Sequence, residues 1–255
     1  MPNATIKNFA ALARSSPWLW RTIQFVATWT EPDTSTQQLR AWIDRPDGLR
    51  VETLDGRVLQ ADRQPRSPTS STTFTAYEST SEDQSADLSA TVALKPEFNA
   101  DGLVLRRPWF ADLDDPMFEN YAWVAMLDPA EFADGEEQLG DEPANDPVTI
   151  THLSSVEHAN RPAWEAVLTP TETYNPRCSC CALLYGARTV ELAPFTTPFG
   201  RQPDFRYADA YRVRLDVGTG ICILIEQIGG TSAGSGHDLH IESVDEPIAE
   251  ELFRE

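Results

Sequence analysis

Hydrophobic positions along the chain recur first at helical spacing and then in strict alternation. Ile6, Phe9, Ala10 and Ala13 fall on one face of a helix predicted over residues Asn3 to Ser16, and Pro17 is expected to stop it. From Thr22 to Thr30 the period drops to two. Ile23, Phe25, Ala27 and Trp29 point one way, Thr22, Gln24, Thr28 and Thr30 the other, with Val26 as the apolar exception. Leu39, Ala41 and Ile43 then alternate with Gln38, Arg40 and Asp44. The turn Arg45-Pro46-Asp47-Gly48 reverses the chain, Leu49 and Val51 alternate with Arg50 and Glu52, and Asp55-Gly56 marks a second hairpin. The first 62 residues therefore predict a helix followed by a four-stranded meander.

The pattern then weakens. Residues 63–72 and 78–90 are rich in Ser, Thr, Pro and Asp and read as loops flanking a short strand over Thr73 to Tyr77. Within the acidic, Pro-rich stretch from Pro96 to Asp146, one aromatic helix is predicted over Pro116 to Ala133, with a break at Asp128-Pro129. It carries Met117, Phe118, Tyr121, Trp123, Val124 and Leu127. Strands return at Val148 to Glu157 and Ala163 to Leu168, paired as a hairpin. After a Cys- and Pro-rich loop near residues 170–205, three more follow at Tyr207 to Leu215, Ile221 to Ile228 and His237 to Val244. A single domain over residues 1–255, with an acidic insertion near 63–146, accommodates all of this.

Composition narrows the classes of partner. Hydrophobic residues make up 41% of the 255, enough for a sizeable core. The formal net charge of −20 opposes phosphate backbones and anionic headgroups, so nucleic acid is not expected. No stretch approaches the roughly 20 apolar residues of a transmembrane segment. Met1 to Lys7 lacks the basic and apolar regions of a signal peptide, which predicts a cytoplasmic location.

The closing strands carry a resemblance. Leu215-Asp216, then Thr219-Gly220, then the apolar run Ile221-Cys222-Ile223-Leu224, followed at the end by Pro247 and Leu252-Phe253, resemble the ending of the LolA/RseB-like lipoprotein-carrier superfamily. The opening helix, the first strand, the Leu49 to Gln60 hairpin around Asp55-Gly56 and the segment Met126-Leu127-Asp128-Pro129 fit the same pattern. The resemblance implies an α+β fold in which a strongly curved antiparallel β-sheet, a half-barrel, wraps over a few helices. It also implies an apolar cavity between sheet and helices that takes a lipid, another apolar small molecule or a protein partner. The inward face would line it: Ile23, Phe25, Trp29, Leu39, Ile43, Val51, Val213, Leu215, Ile223, Ile225 and Ile241. The same residues equally suit an ordinary core under the protein's own helix. A non-enzymatic binding protein is the function expected on this reading, with a sensor of protein partners as its variant.

One cluster points to different chemistry. Cys178, Cys180 and Cys181 fall within four residues of a loop. In a reducing compartment such clusters bind metal or do thiol redox chemistry, and thiolates suit zinc because they are soft and charged. No cofactor is required by the apolar reading; zinc at this loop is the alternative, and a packed loop of free thiols is the third. Arg177 could lower the pKa of the neighbouring thiol, while Cys222 suits a buried strand position. His152, His158, His237 and His240 are candidate completing ligands, but His237 and His240 should point to opposite sides of a strand and are expected at the surface. Gly230-Thr231-Ser232-Ala233-Gly234 has the spacing of a nucleophile elbow yet lacks the helix that should follow, so it reads as a hairpin loop. The acid pairs Asp114-Asp115 and Glu136-Glu137 read as solvated surface.

Overall fold

Alternation in the sequence becomes pairing in the computed structural model, which describes residues 2–31, 36–63, 95–108, 115–135, 146–192 and 204–254. The strand expected at Thr73 to Tyr77, Asp114 and the Glu136-Glu137 pair lie outside these residues. Helix α1 (Ile6–Leu19) leads into β1 (Thr22–Thr30), β2 (Gln37–Asp44), β3 (Gly48–Thr53) and β4 (Val58–Arg63). A two-stranded pair, β5 (Glu97–Phe98) and β6 (Val104–Arg106), precedes helix α2 (Tyr121–Leu127) and a 3₁₀ turn over Ala130–Phe132. Then come β7 (Val148–His158), β8 (Arg161–Pro170), the short α3 (Ala187–Leu192), β9 (Ala210–Asp216), β10 (Cys222–Ile228) and β11 (Gly236–Val244). Nine strands form one antiparallel sheet in the order β4-β3-β2-β1-β11-β10-β9-β8-β7. The fold is α+β: a large antiparallel sheet with few helices, in which no described strand joins the β4 and β7 edges.

The core lies on the face where the alternating apolar residues meet α1 and α2. Phe9 and Leu12 of α1 are fully buried, each contributing about 1.5–3 kcal/mol. Trp123 of α2 sits 5.4 Å from the Phe25 ring, 6.1 Å from Trp29 and 5.4 Å from Phe118. The Thr219-Gly220 turn seats α1 on the sheet. Gly220 has φ +71°, and a Cβ there would lie 2.7 Å from the Leu12 carbonyl oxygen, so only glycine permits this approach. Asp216, fully buried, holds the turn by accepting from Thr219 N–H and Oγ1 and from two Arg161 nitrogens.

Three expectations are corrected here. Pro17 lies inside α1 rather than after it. The ring removes one N–H donor near the helix end, but tertiary bonds carry the last turn: Ser16 Oγ donates to the Leu127 carbonyl and Trp20 Nε1 donates to Ser16 Oγ. The buried face of α1 includes Ser15 and Ser16, which apolar spacing cannot reveal, and Ile6 is 55% exposed. Second, the aromatic helix starts five residues later than expected. Glu119 has φ +58°, which no α-helix accommodates, and Asn120 caps α2 by accepting from Ala122 N–H at 2.9 Å. Its break at Asp128-Pro129 falls as read, but Met117 and Tyr121 are exposed.

Third, His237 is buried, not superficial. Strands β10 and β11 pair from Leu224 to Glu226, beside their turn, and part toward Cys222. Two imidazoles take carbonyls along the split: His237 Nε2 donates to Cys222 O at 2.9 Å and His158 Nε2 to Leu239 O at 3.0 Å. Burial depresses the His237 pKa to about 4, so the ring is neutral at pH 7. His158 is buried too, and Arg214 donates to its Nδ1.

Candidate metal centre

Of the eleven inward apolar residues, all but Trp29 are at most 5% exposed and belong to the core cluster; Trp29 is half-buried against it. They pack among themselves and beneath α2. An open groove of about 550 Å³ lies elsewhere, lined by Ile6, Phe132, Ala133, Val148, Ile150 and Thr171 among others, and none of the eleven lines it.

The cysteines present a different picture. Between β8 and α3 the chain runs through turns without regular structure, and the loop places three free thiols together. Cys178 Sγ lies 2.9 Å from Cys180 Sγ, and Cys180 Sγ lies 3.9 Å from Cys181 Sγ. All three sulfurs fall within 4.8 Å of one another. Cys180 is exposed, whereas Cys178 and Cys181 are half-buried. Burial opposes ionisation of Cys178, but hydrogen bonds from the Cys180 and Cys181 thiols and backbone N–H groups together lower its pKa. Cys180, hydrogen-bonded to Cys178, is shifted up. Cys181 is pushed to about 12 by burial and by its Cys178 neighbour.

A buried carboxylate fixes this loop from below. Glu131, in the 3₁₀ turn, accepts from Tyr174 Oη, from Leu183 N–H at 3.0 Å and from Arg177 N–H at 3.4 Å. Arg177 and Leu183 flank the three cysteines, so one side chain clasps both ends of the cluster. Tyr174 Oη in turn accepts from Leu184 N–H at 3.2 Å. Burial raises the Glu131 pKa to about 7 even against these donors. Three residues earlier, fully enclosed Asp128 accepts from Arg107 and, at 2.9 Å, from Arg177. Burial raises it to about 6, with Arg107 opposing. The Arg177 guanidinium thus pairs with Asp128, a partner its place beside Cys178 does not suggest.

No protein-family model matches the chain, and no curated protein matches it either. Function must therefore be read from geometry. Among the described residues no histidine or carboxylate joins the three sulfurs, so the imidazoles proposed as completing ligands are not brought to the site. Cys222 sits fully buried in β10, as its apolar neighbours suggest. Gly230 to Gly234 form the turn between β10 and β11, with no helix after Ser232. Asp115 is not solvated surface: it is buried and accepts from Arg45 at 2.6 and 2.8 Å. Arg45 itself lies 3.3 Å above the Trp20 ring.

The acid hub under the loop escaped the sequence reading. Its only trace was two carboxylates, Asp128 and Glu131, inside the otherwise apolar run from Trp123 to Ala133. Charges in such a run signal partners elsewhere in the chain.

Proposed function

We propose that this chain is a metal-binding protein, non-enzymatic, whose working part is the Cys178–Cys181 loop: three thiolates that capture one soft cation. The observation that carries this is the gathering of three free sulfurs within 4.8 Å on a partly exposed loop. Among the described residues no helix is long and apolar enough to cross a membrane. An apolar ligand, the function expected from the resemblance, would have to displace α2 from a face whose residues are already buried. The test is titration of the fully reduced chain with Cd²⁺, followed through the ultraviolet thiolate-to-metal band. One equivalent should saturate the band, and the triple variant C178S/C180S/C181S should lose it. No band, or an equal band in the variant, overturns the reading.

A second reading has its own support. The 2.9 Å between Cys178 and Cys180 sulfurs suits oxidation by a disulfide such as oxidised glutathione, forming one S–S bond and releasing two glutathione thiols. Mass spectrometry would read this as loss of two hydrogens, with capture of metal abolished; a mass unchanged after incubation would dismiss it.

A curved half-barrel of the lipoprotein-carrier kind is supported by the reach of His158, at the end of β7, to Leu239 of β11 across three intervening strands. A flat sheet would hold those strands about 19 Å apart. Register shifts in β1, β7 and β10 supply bends of the kind such curvature needs.

A further inference from the structure

We propose that the ion held by Cys178, Cys180 and Cys181 is monovalent copper, bound by three sulfurs and nothing else from this chain. This rests on the metal-binding reading above and goes further, to the class of ion.

The chain has four cysteines and four histidines, and all eight lie among the described residues. The fourth cysteine, Cys222, is fully enclosed in β10, where its thiol donates to the Leu224 carbonyl. His158 and His237 spend ring nitrogens on the split between β10 and β11, and no imidazole reaches the sulfurs. The carboxylates beneath the loop are committed as well: Glu131 to Tyr174 and two backbone N–H groups, Asp128 to Arg107 and Arg177. Met126 is buried in the core. Among the described residues the site therefore has three soft ligands and no fourth.

That count separates the candidate ions. Structural zinc takes four protein ligands, and the common iron–sulfur clusters likewise need four. A soft monovalent d¹⁰ ion is satisfied by three thiolates in a plane. With metal–sulfur bonds of about 2.3 Å, a trigonal plane separates its sulfurs by about 4 Å. Cys180 and Cys181 already stand 3.9 Å apart, and Cys178, within 4.8 Å of Cys181, has to draw back by about 1 Å from Cys180 to approach the triangle. Binding releases the three thiol protons: Cu⁺ replaces them, forming three Cu–S bonds with no change of oxidation state.

The experiment uses the full reduced chain under anaerobic conditions, with Cu⁺ buffered by a competing copper(I) chelator and Zn²⁺ by a zinc chelator. The expected result is one Cu⁺ per chain, with X-ray absorption showing three sulfur neighbours and no nitrogen or oxygen. Each of C178S, C180S and C181S should weaken Cu⁺ at least about tenfold, while C222A leaves it unchanged. Zn²⁺ should be surrendered to its chelator under conditions where Cu⁺ stays. Zinc retained in a four-coordinate shell, copper bound by two sulfurs, or loss of copper in C222A would each overturn the inference. Failure of Cd²⁺ to bind would instead remove the metal reading itself, so the two failures are distinguishable.

Discussion

Replacing Glu131 by Gln keeps the shape of the side chain and removes its charge. The wild-type carboxyl titrates at about 7 in the folded protein against an ordinary 4.5, because burial outweighs the donors from Tyr174, Leu183 and Arg177. A carboxyl whose folded pKa is raised binds its proton more tightly in the folded than in the unfolded state. Its contribution to stability is thus fully present below pH 4.5 and is lost as pH rises to 7. Over that span of 2.5 units the loss is about 3 kcal/mol, at about 1.4 kcal/mol per unit. E131Q cannot titrate, so it lacks this slope. Its amide oxygen can still accept from Tyr174 and Leu183, but its NH₂ faces Arg177 N–H, donor against donor, which costs about 1–3 kcal/mol at every pH. Urea unfolding of both proteins between pH 4.5 and 8 gives the difference curve. E131Q should be the less stable at pH 4.5, and the gap should close or reverse by pH 8. A difference that stays constant across this range would refute the claim that burial dominates at Glu131.

Two further outcomes test other buried polar groups. Asp216→Asn should destabilise by about 3–5 kcal/mol in the same unfolding assay: the amide oxygen can still accept from Thr219, but the charge that pairs with Arg161 is removed and the NH₂ faces Arg161 Nε, donor against donor; a cost under 1 kcal/mol would show that the turn does not depend on this charge. His237→Gln should flatten the acid limb of the stability curve: with a folded pKa of about 4 against 6.5, the unfolded chain binds more protons between these values, so wild-type stability falls by about 3 kcal/mol as pH drops through them, and an unchanged limb in the variant would contradict this.

What could be read from the chain was what depends on neighbours in sequence. The meander from β1 to β4 was legible because one apolar side per strand imposes a two-residue period and Asp55-Gly56 marks its turn. The thiol cluster was legible because its members sit within four residues. Long-range partners hid the rest. Pro17 fails to end α1 because Ser16 is tied to Leu127, 111 residues away. His237 is drawn inward by a carbonyl left free where two strands part, and strand divergence leaves no mark on alternation. The partners of Asp128 and Glu131 stand 21 to 52 residues distant, so neither carboxylate declares its role locally.

The position of the acid hub bears on what it is for. Buried ion pairs seldom add net stability over apolar packing of the same volume. On the inward face of the central strands, residues such as Phe25, Ile43 and Val213 show the apolar solution already in use. Beneath the cysteine loop the chain instead buries two carboxylates, Asp128 and Glu131, against Arg107, Arg177 and Tyr174. A loop without regular secondary structure has no ladder to satisfy its backbone N–H groups, and Glu131 takes one before and one after the three thiols. What the hub supplies is therefore the geometry of the loop. The gathering of sulfurs that we assign to copper depends on a residue some fifty positions earlier, and not only on the spacing of the cysteines themselves.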